Sequence, residues 1–268
     1  MQAVISAKKS LGQHFLVDRN IARNIVAACE PHPSDIIVEI GPGQGALTGL
    51  LAETGARIIC IEIDGRAAEV LHGQIAKEGW SNIEVIHEDV LRYDFSALAG
   101  DADAPLKIIG NLPYNITSQI LFRLIEYRAH IGTAIMMMQK EVADRIISAH
   151  GTKEYGILSV LLQVNAAVRK LFKVSPNVFK PKPKVWSAVL RADFTGPHLD
   201  AISDYVHFTR TVKAAFGQRR KKLSNSLRNA GMFGEHVPEA AREFLDLRPE
   251  QLDIQSFIRL SNTIATHG

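Results

Sequence analysis

The run Ile36-Ile37-Val38-Glu39-Ile40 passes directly into Gly41-Pro42-Gly43-Gln44-Gly45. A short β-branched run bounded this way is a buried strand, and the glycines after it allow a tight turn and close approach of the backbone to a ligand. A helix through residue 54 is expected next. The alternation repeats, with strands expected at 57–64, 82–87, 106–109 and 132–139 and helices at 66–76 and 116–126. Strands alternating with helices at this spacing make a mostly parallel sheet covered on both faces. Three consecutive methionines, Met136 to Met138, sit in the last of these strands and read as adaptable core packing.

Upstream, Ile21, Ile25, Val26 and Cys29 fall at helical spacing, with Asp18 as the expected N-cap and Pro31 and Pro33 closing the helix. After Lys140 the pattern changes. Helices are expected at 141–149 and 155–165, and strands at 167–174 and 186–194. The strands are joined by Ser175-Pro176-Asn177-Val178-Phe179-Lys180-Pro181-Lys182-Pro183-Lys184, a Pro-rich loop that suits an antiparallel pair closing the sheet. From residue 195 onward only helical patterns remain, at 201–216, 220–230, 238–246 and 254–265. The expected organisation is an α/β domain over 1–197 and a small all-α domain over 198–268.

No apolar run is long enough to span a bilayer, and the lysines near the N-terminus have no apolar stretch behind them, so neither a membrane span nor a secretory signal is expected. Cys29 and Cys60 lie in apolar-patterned segments and read as buried free thiols, which fits a reducing, cytoplasmic location. The net charge of +3 decides little by itself. Its distribution says more. Lys8-Lys9, the set Lys180, Lys182 and Lys184, and Arg219-Arg220-Lys221-Lys222 each lie near Gly, Pro or aromatic residues. Each alone can be a solvated face; three together suit a polyanionic partner.

Chemistry-bearing residues gather at the C-terminal ends of the expected strands, where open α/β sheets bind ligands. Gly41, Gly43 and Ala46 fit a dinucleotide fingerprint, while Gly41, Gly43 and Gly45 fit the turn of S-adenosylmethionine enzymes. Glu62, at the end of the second strand and roughly twenty residues after the glycines, can accept both hydroxyls of a ribose; Asp64 is its rival. Asp89, beyond the third strand, can accept from an adenine amino group, with Glu88 as the alternative. After the fourth strand, Gly110-Asn111-Leu112-Pro113-Tyr114-Asn115 presents an amide, a rigid turn and an aromatic ring.

Together these residues resemble the ribosomal RNA adenine N6-dimethyltransferases, most closely the bacterial type acting on small-subunit (16S) ribosomal RNA. The resemblance is carried by Lys9-Ser10-Leu11-Gly12-Gln13-His14-Phe15-Leu16, by the Glu39 to Gly45 turn and by Asn111 to Tyr114. Tyr155-Gly156-Ile157-Leu158-Ser159-Val160, the loop from Val178 to Val185 and Phe216-Gly217-Gln218-Arg219-Arg220-Lys221-Lys222-Leu223 extend it over nearly the whole chain. It implies a Rossmann-like class I methyltransferase sheet and a helical RNA-binding domain. It implies S-adenosyl-L-methionine as methyl donor, leaving as S-adenosyl-L-homocysteine, held by His14, Leu16, Gly41, Glu62, Asp89 and Asn111. His14 stands where many members of the family have Asn.

For the acceptor, the resemblance implies that Asn111 and the Leu112 carbonyl take hydrogen bonds from the adenine amine. Pro113 fixes the turn, Tyr114 stacks on the extruded base and Phe179 closes on its other face. Lys180, Lys182, Lys184, Arg219, Arg220, Lys221 and Lys222 would contact RNA phosphates. The implied product is two methyl groups on each of two adjacent adenosines in a 3′-terminal hairpin of 16S ribosomal RNA, a step of ribosome biogenesis. A monomer with no metal and no membrane partner is expected. The competing readings are a large-subunit adenine methyltransferase of the macrolide-resistance type, a small-molecule amine methyltransferase, and a ribosome-assembly factor without essential catalysis. Leu112 and the Arg-Arg-Lys-Lys segment favour the small-subunit type.

Overall fold

The structure, a computed structural model, describes residues 6–8, 11–100, 104–232 and 238–265. Lys9 and Ser10, part of the first basic cluster and of the first matching segment, lie outside the described residues. The chain divides into two compact units, Met1–Ala143 with Arg169–Phe194 and Asp144–Val168 with Thr195–Gly268.

In the first unit, β1 (Phe15–Leu16) leads into α1 (Arg19–Ala28). Asp18 caps this helix as expected, accepting from the N–H groups of Asn20 at 2.8 Å and Ile21 at 3.0 Å. There follow β2 (Ile36–Ile40), α2 (Thr48–Ala52), β3 (Arg57–Glu62), α3 (Gly65–Glu78), β4 (Ile83–His87), α4 (Ser96–Ala99), β5 (Leu106–Asn111), α5 (Thr117–Glu126) and β6 (Ile131–Gln139). The chain then runs through α6 (Lys140–Ile146) and α7 (Ile157–Asn165) and returns as β7 (Ala167–Val174), β8 (Phe179–Lys180) and β9 (Ser187–Asp193).

Seven strands form one sheet in the order β4-β3-β2-β5-β6-β9-β7. β4, β3, β2, β5 and β6 are mutually parallel, and β9 runs antiparallel to β6. Every residue of β2 is buried, as a central strand covered on both faces requires. Met136, Met137 and Met138 are fully buried, and Cys29 and Cys60 are buried free thiols, all as the sequence suggests. Strand order reverses between β2 and β5, so their C-terminal ends flank the crevice where doubly wound sheets take ligands. A separate two-stranded ribbon pairs β1 with β8, Leu16 opposite Phe179.

One expected helix is much shorter in the structure. Gly41, Gly43 and Gly45 all have positive φ, so the turn occupies the segment through residue 45 and α2 begins only at Thr48. That left-handed run also resolves the ambiguous spacing in favour of the three-glycine turn.

The second unit contains α7 and then α8 (Tyr205–Gly217), α9 (Leu223–Asn229), α10 (Arg242–Leu245) and α11 (Ile254–Ala265). Phe208, Phe257 and Leu260 are fully buried, and Phe216 stacks on Phe257 at 5.7 Å. Asp204 caps α8, accepting from His207 N–H at 2.9 Å, which sets its start later than the expected residue 201. The expected single boundary at 197/198 is corrected. Residues 144–168 group with the C-terminal helices because their side chains complete that unit's core. Tyr155, 1% exposed, meets Phe216 edge-on, and Asn165 Nδ2 donates to Tyr205 Oη at 2.8 Å.

Candidate active site

His14, Leu16, Gly41, Glu62, Asp89 and Asn111 line one cleft, together with Leu112, Pro113 and Tyr114. They come from the loop ending in β1, the ends of β2, β3 and β5, and the loop after β4. The crossover between β2 and β5 thus gathers them at one sheet edge.

On the β2–β4 side, the glycine turn sits over the end of β3. Glu62, 4% exposed, accepts from Gly43 N–H at 3.0 Å and from Asp64 N–H at 2.9 Å, one bond to each carboxylate oxygen. A carboxylate oxygen accepts two hydrogen bonds, so capacity remains for a ligand's hydroxyls. Burial pushes its carboxyl up from the ordinary value, and the backbone donors of Asp64, Gly43 and Ile63 oppose that shift. Gly43 is fixed by two constraints: φ is +57° and a Cβ would lie 3.0 Å from the Phe15 ring. At Gly41 a Cβ would meet nothing within 4 Å, so the backbone there borders open cleft.

The rival Asp64 is occupied. Arg66 donates to it at 2.7 and 3.1 Å, Lys8 Nζ at 3.2 Å and Gln13 Nε2 at 3.2 Å, and the Arg66 guanidinium holds its carboxyl well below the usual range. It ties down the segment ahead of β1. Asp89 accepts from Leu91 N–H at 3.0 Å, ordering the loop after β4, and Glu88 also borders the cleft. Ile63, 50% exposed between the two acids, lines the cleft and offers an apolar surface to a flat ring; the sequence reading passed over it.

Beneath the turn, Glu39 is 2% exposed and accepts from Thr48 Oγ1 at 2.7 Å, with Cys60 Sγ at 3.7 Å. Burial pushes its carboxyl up to about 7.

On the β5 side, Asn111 Nδ2 donates to the His14 carbonyl at 2.9 Å. A carbonyl takes only a donor, so the amide nitrogen faces His14 and Oδ1 is the atom left to act as an acceptor. His14 therefore acts on Asn111 through its backbone. Its ring packs against Tyr114 at 5.4 Å, and Nδ1–H donates to the Pro181 carbonyl at 2.8 Å. Leu112, 1% exposed, anchors the loop from below, its N–H bonded to Met137 O at 2.9 Å. The Pro113 carbonyl accepts from Thr117 Oγ1 at 2.8 Å. Tyr114 Oη lies 2.6 Å from Ser187 Oγ, at the first residue of β9. Ser187 is fully buried and escaped the sequence reading, since no pattern signals a hydroxyl that fixes a ring 73 residues away.

Phe179 does not take the expected place. It is 2% exposed and belongs to the core cluster that contains Leu16, Val174 and Val189. Pairing of β8 with β1 turns its ring into the core, so it presents no open face to the cleft.

Lys180, Lys182 and Lys184 are exposed on β8 and the loop after it. In the second unit, Arg219 to Lys222 form the turn between α8 and α9 rather than the start of a helix. Arg219 donates to the carbonyls of Thr152 and Lys153, and Lys222 pairs with Asp246 at 2.7 Å. Arg220 and Lys221 extend into solvent. Among the described residues no group of His, Cys, Asp and Glu is placed to hold a metal ion, and no helix is long and apolar enough to cross a membrane.

Two kinds of likeness bear on these features. A protein of Xanthomonas axonopodis pv. citri named ribosomal RNA small subunit methyltransferase A is 45% identical over 256 residues, covering 96% of this chain and 95% of its own. One of the same name from Syntrophus aciditrophicus is 40% identical, covering 97% and 95%. Among solved structures, a dimethyladenosine transferase from Plasmodium falciparum superimposes with a TM-score of 0.78 at 25% identity, covering 92% of this chain and 96% of that one. The 23S rRNA methyltransferase ErmE does so at 0.65 and 28%, covering 94% and 99%. The family described as ribosomal RNA adenine dimethylase matches residues 4–265, so the glycine turn, the Asn111 loop and the helical unit all fall within one match. By that match and these relatives, the chain belongs to the ribosomal RNA adenine dimethylase family.

Proposed function

We propose that this protein dimethylates the N6 amines of two adjacent adenosines in a 3′-terminal hairpin of 16S ribosomal RNA, within the small ribosomal subunit, as a cytoplasmic monomer. The observation that carries this reading is the Asn111 amide, whose nitrogen is engaged by the His14 carbonyl so that Oδ1 is left as its acceptor atom in the cleft lining.

The cleft fits S-adenosylmethionine. Its glycine turn leaves open space at Gly41, and Glu62 and Asp89 stand at successive strand ends. Glu62 would hold ribose hydroxyls and Asp89 an adenine amino group, with Ile63 against the ring and Leu16 and the His14 backbone bordering the remainder. When bound, the donor supplies an electrophilic methyl group on a sulfonium.

The residues of the chain then act on the acceptor amine. Its lone pair is delocalised into the adenine ring, which makes it a poor nucleophile. Asn111 Oδ1 and the Leu112 carbonyl would accept its two N–H bonds and favour a tetrahedral nitrogen with a localised pair. Such bonds strengthen as positive charge develops on nitrogen, so they lower the barrier rather than merely bind. No strong base is required beforehand, because the amine proton becomes acidic only as that charge arrives. Tyr114, its hydroxyl held by Ser187, would supply the face on which the extruded base stacks. Lys180, Lys182, Lys184, Arg220 and Lys221 would lower the electrostatic cost of bringing RNA phosphates near.

The test is incubation with labelled S-adenosylmethionine and unmethylated small subunits, followed by mapping of the product. Paired dimethyladenosines near the 3′ end of 16S RNA are expected. Label confined to large-subunit RNA would instead favour the specificity named for ErmE, and absence of dimethyladenosine from both would sink the proposal.

A further inference from the structure

We infer that Trp186 is a second base-stacking residue, which holds a nucleotide flanking the target adenosine at the mouth of the acceptor cleft. The inference rests on the proposed RNA substrate and deepens it.

Five large apolar side chains are prominently exposed among the described residues, and Trp186, at 52%, is the aromatic one. It follows Val185, 43% exposed, and both come directly after the exposed lysines 182 and 184. A lone exposed apolar residue needs no explanation. An indole at the end of a basic loop is different, because positive charge with an aromatic platform is how proteins hold single-stranded nucleic acid without reading its sequence.

Its position in the fold supplies the second argument. Trp186 immediately precedes Ser187, whose hydroxyl lies 2.6 Å from Tyr114 Oη. Consecutive Cα atoms are about 3.8 Å apart, so the backbone of Trp186 is tied to the residue that fixes Tyr114. Ser187 is buried and bonded to Tyr114, while Trp186 is half exposed one residue before it in the chain. The platform is also anchored: the Trp186 carbonyl accepts from Lys140 N–H at 2.9 Å, and the Pro181 carbonyl upstream is held by His14 Nδ1. A fixed backbone lets an exposed ring stack with little further loss of freedom. Phe179, being buried, leaves this loop's aromatic contact with RNA to Trp186.

The chain has two tryptophans, so Trp80→Phe leaves Trp186 as the reporter. In that variant, unmethylated small subunits should quench the indole emission. Irradiation of the complex should place a nucleotide adduct on the peptide carrying Trp186. Trp186→Ala should raise KM for subunits roughly ten- to a hundredfold, the range of one lost base stack, with kcat and KM for S-adenosylmethionine within about twofold of the parent. Trp186→Phe should restore most of the loss. Unchanged emission with a parental KM in Trp186→Ala, while the parent enzyme still forms dimethyladenosine, overturns this inference and leaves the proposed function standing. An adduct to a ribosomal protein, or an equal fall in S-adenosylmethionine binding, also overturns it. A parent enzyme that forms no dimethyladenosine overturns both.

Discussion

The two sides of the cleft are built on different length scales. On the β2–β4 side the key interactions are local. Glu62 reaches back 19 residues to Gly43 N–H and 2 residues forward to Asp64 N–H, and the turn is set by the φ angles of its own glycines. On the β5 side Asn111 is oriented by a carbonyl 97 residues away, and Tyr114 by a hydroxyl 73 residues away. A locally coded half follows from short-range backbone preferences. A remotely braced half exists only once the sheet has closed and β1 and β8 have paired. The β5 side should therefore be more sensitive to substitutions at a distance from it.

The most severe break is Asn111→Ala. Removing an acceptor that acts as charge develops should lower kcat by roughly 10²–10³-fold. S-adenosylmethionine binding, measured by calorimetry, should fall only modestly. Full turnover in this variant would remove Asn111 from the mechanism.

The next effect belongs to the local half and is read in pH. Glu39 has its folded pKa raised to about 7 from an ordinary value near 4.5. A raised carboxyl stabilises the fold fully below the unfolded value, and that contribution is lost as pH rises through the folded one. Glu39→Gln keeps the shape and never ionises. Its stability relative to the parent should therefore climb between pH 4.5 and 7, by up to about 3 kcal/mol. A constant difference in Tm across that window would show that burial does not govern this carboxyl.

A subtler break is Ser187→Ala, which frees the Tyr114 hydroxyl without touching the ring. A hydrogen bond of this kind is worth about 1 kcal/mol, so kcat/KM for subunits should fall roughly fivefold. Tyr114→Phe should match it, and the double variant should lose no more than either alone. Additive losses would mean that the two groups act separately.

The smallest effect lies outside the cleft. Alanine at Arg220 and Lys221 should flatten the salt dependence of subunit binding by about one unit of slope for each phosphate that is no longer neutralised. Arg219 and Lys222 are engaged within their own unit, so replacing them should cost stability before it alters the slope.

Legibility in the sequence follows the same division. The parallel strands, the Asp18 cap, the buried methionines and α11 at Ile254–Ala265 were readable because periodicity and capping are local signals. The acids at the ends of β3 and β4 were readable because strand ends in such a sheet share one edge. Glu62 and Asp64 could not be ranked from spacing; Arg66, Lys8 and Gln13 decide between them by occupying Asp64. Phe179 was misplaced for a related reason. Lysines on both sides of it suggest a solvent-facing loop, yet its pairing with Leu16 buries it. The domain boundary failed because segment 144–168 leaves the sheet, completes the helical core and returns as β7, a detour with no compositional mark.

By itself the sequence determined the alternating elements, a glycine-rich turn after β2, the acids along one edge and the chemical types of the Asn111–Tyr114 loop. These depend on side-chain period, backbone freedom and strand direction, all set within a few residues. The tertiary structure alone decided which atom of Asn111 the His14 carbonyl engages, which of two acids is taken up by Arg66, Lys8 and Gln13, and that Phe179 is core while Trp186 is exposed. Those outcomes depend on partners brought together by the closing sheet, and a hydrogen bond across 97 residues leaves no local trace in the chain.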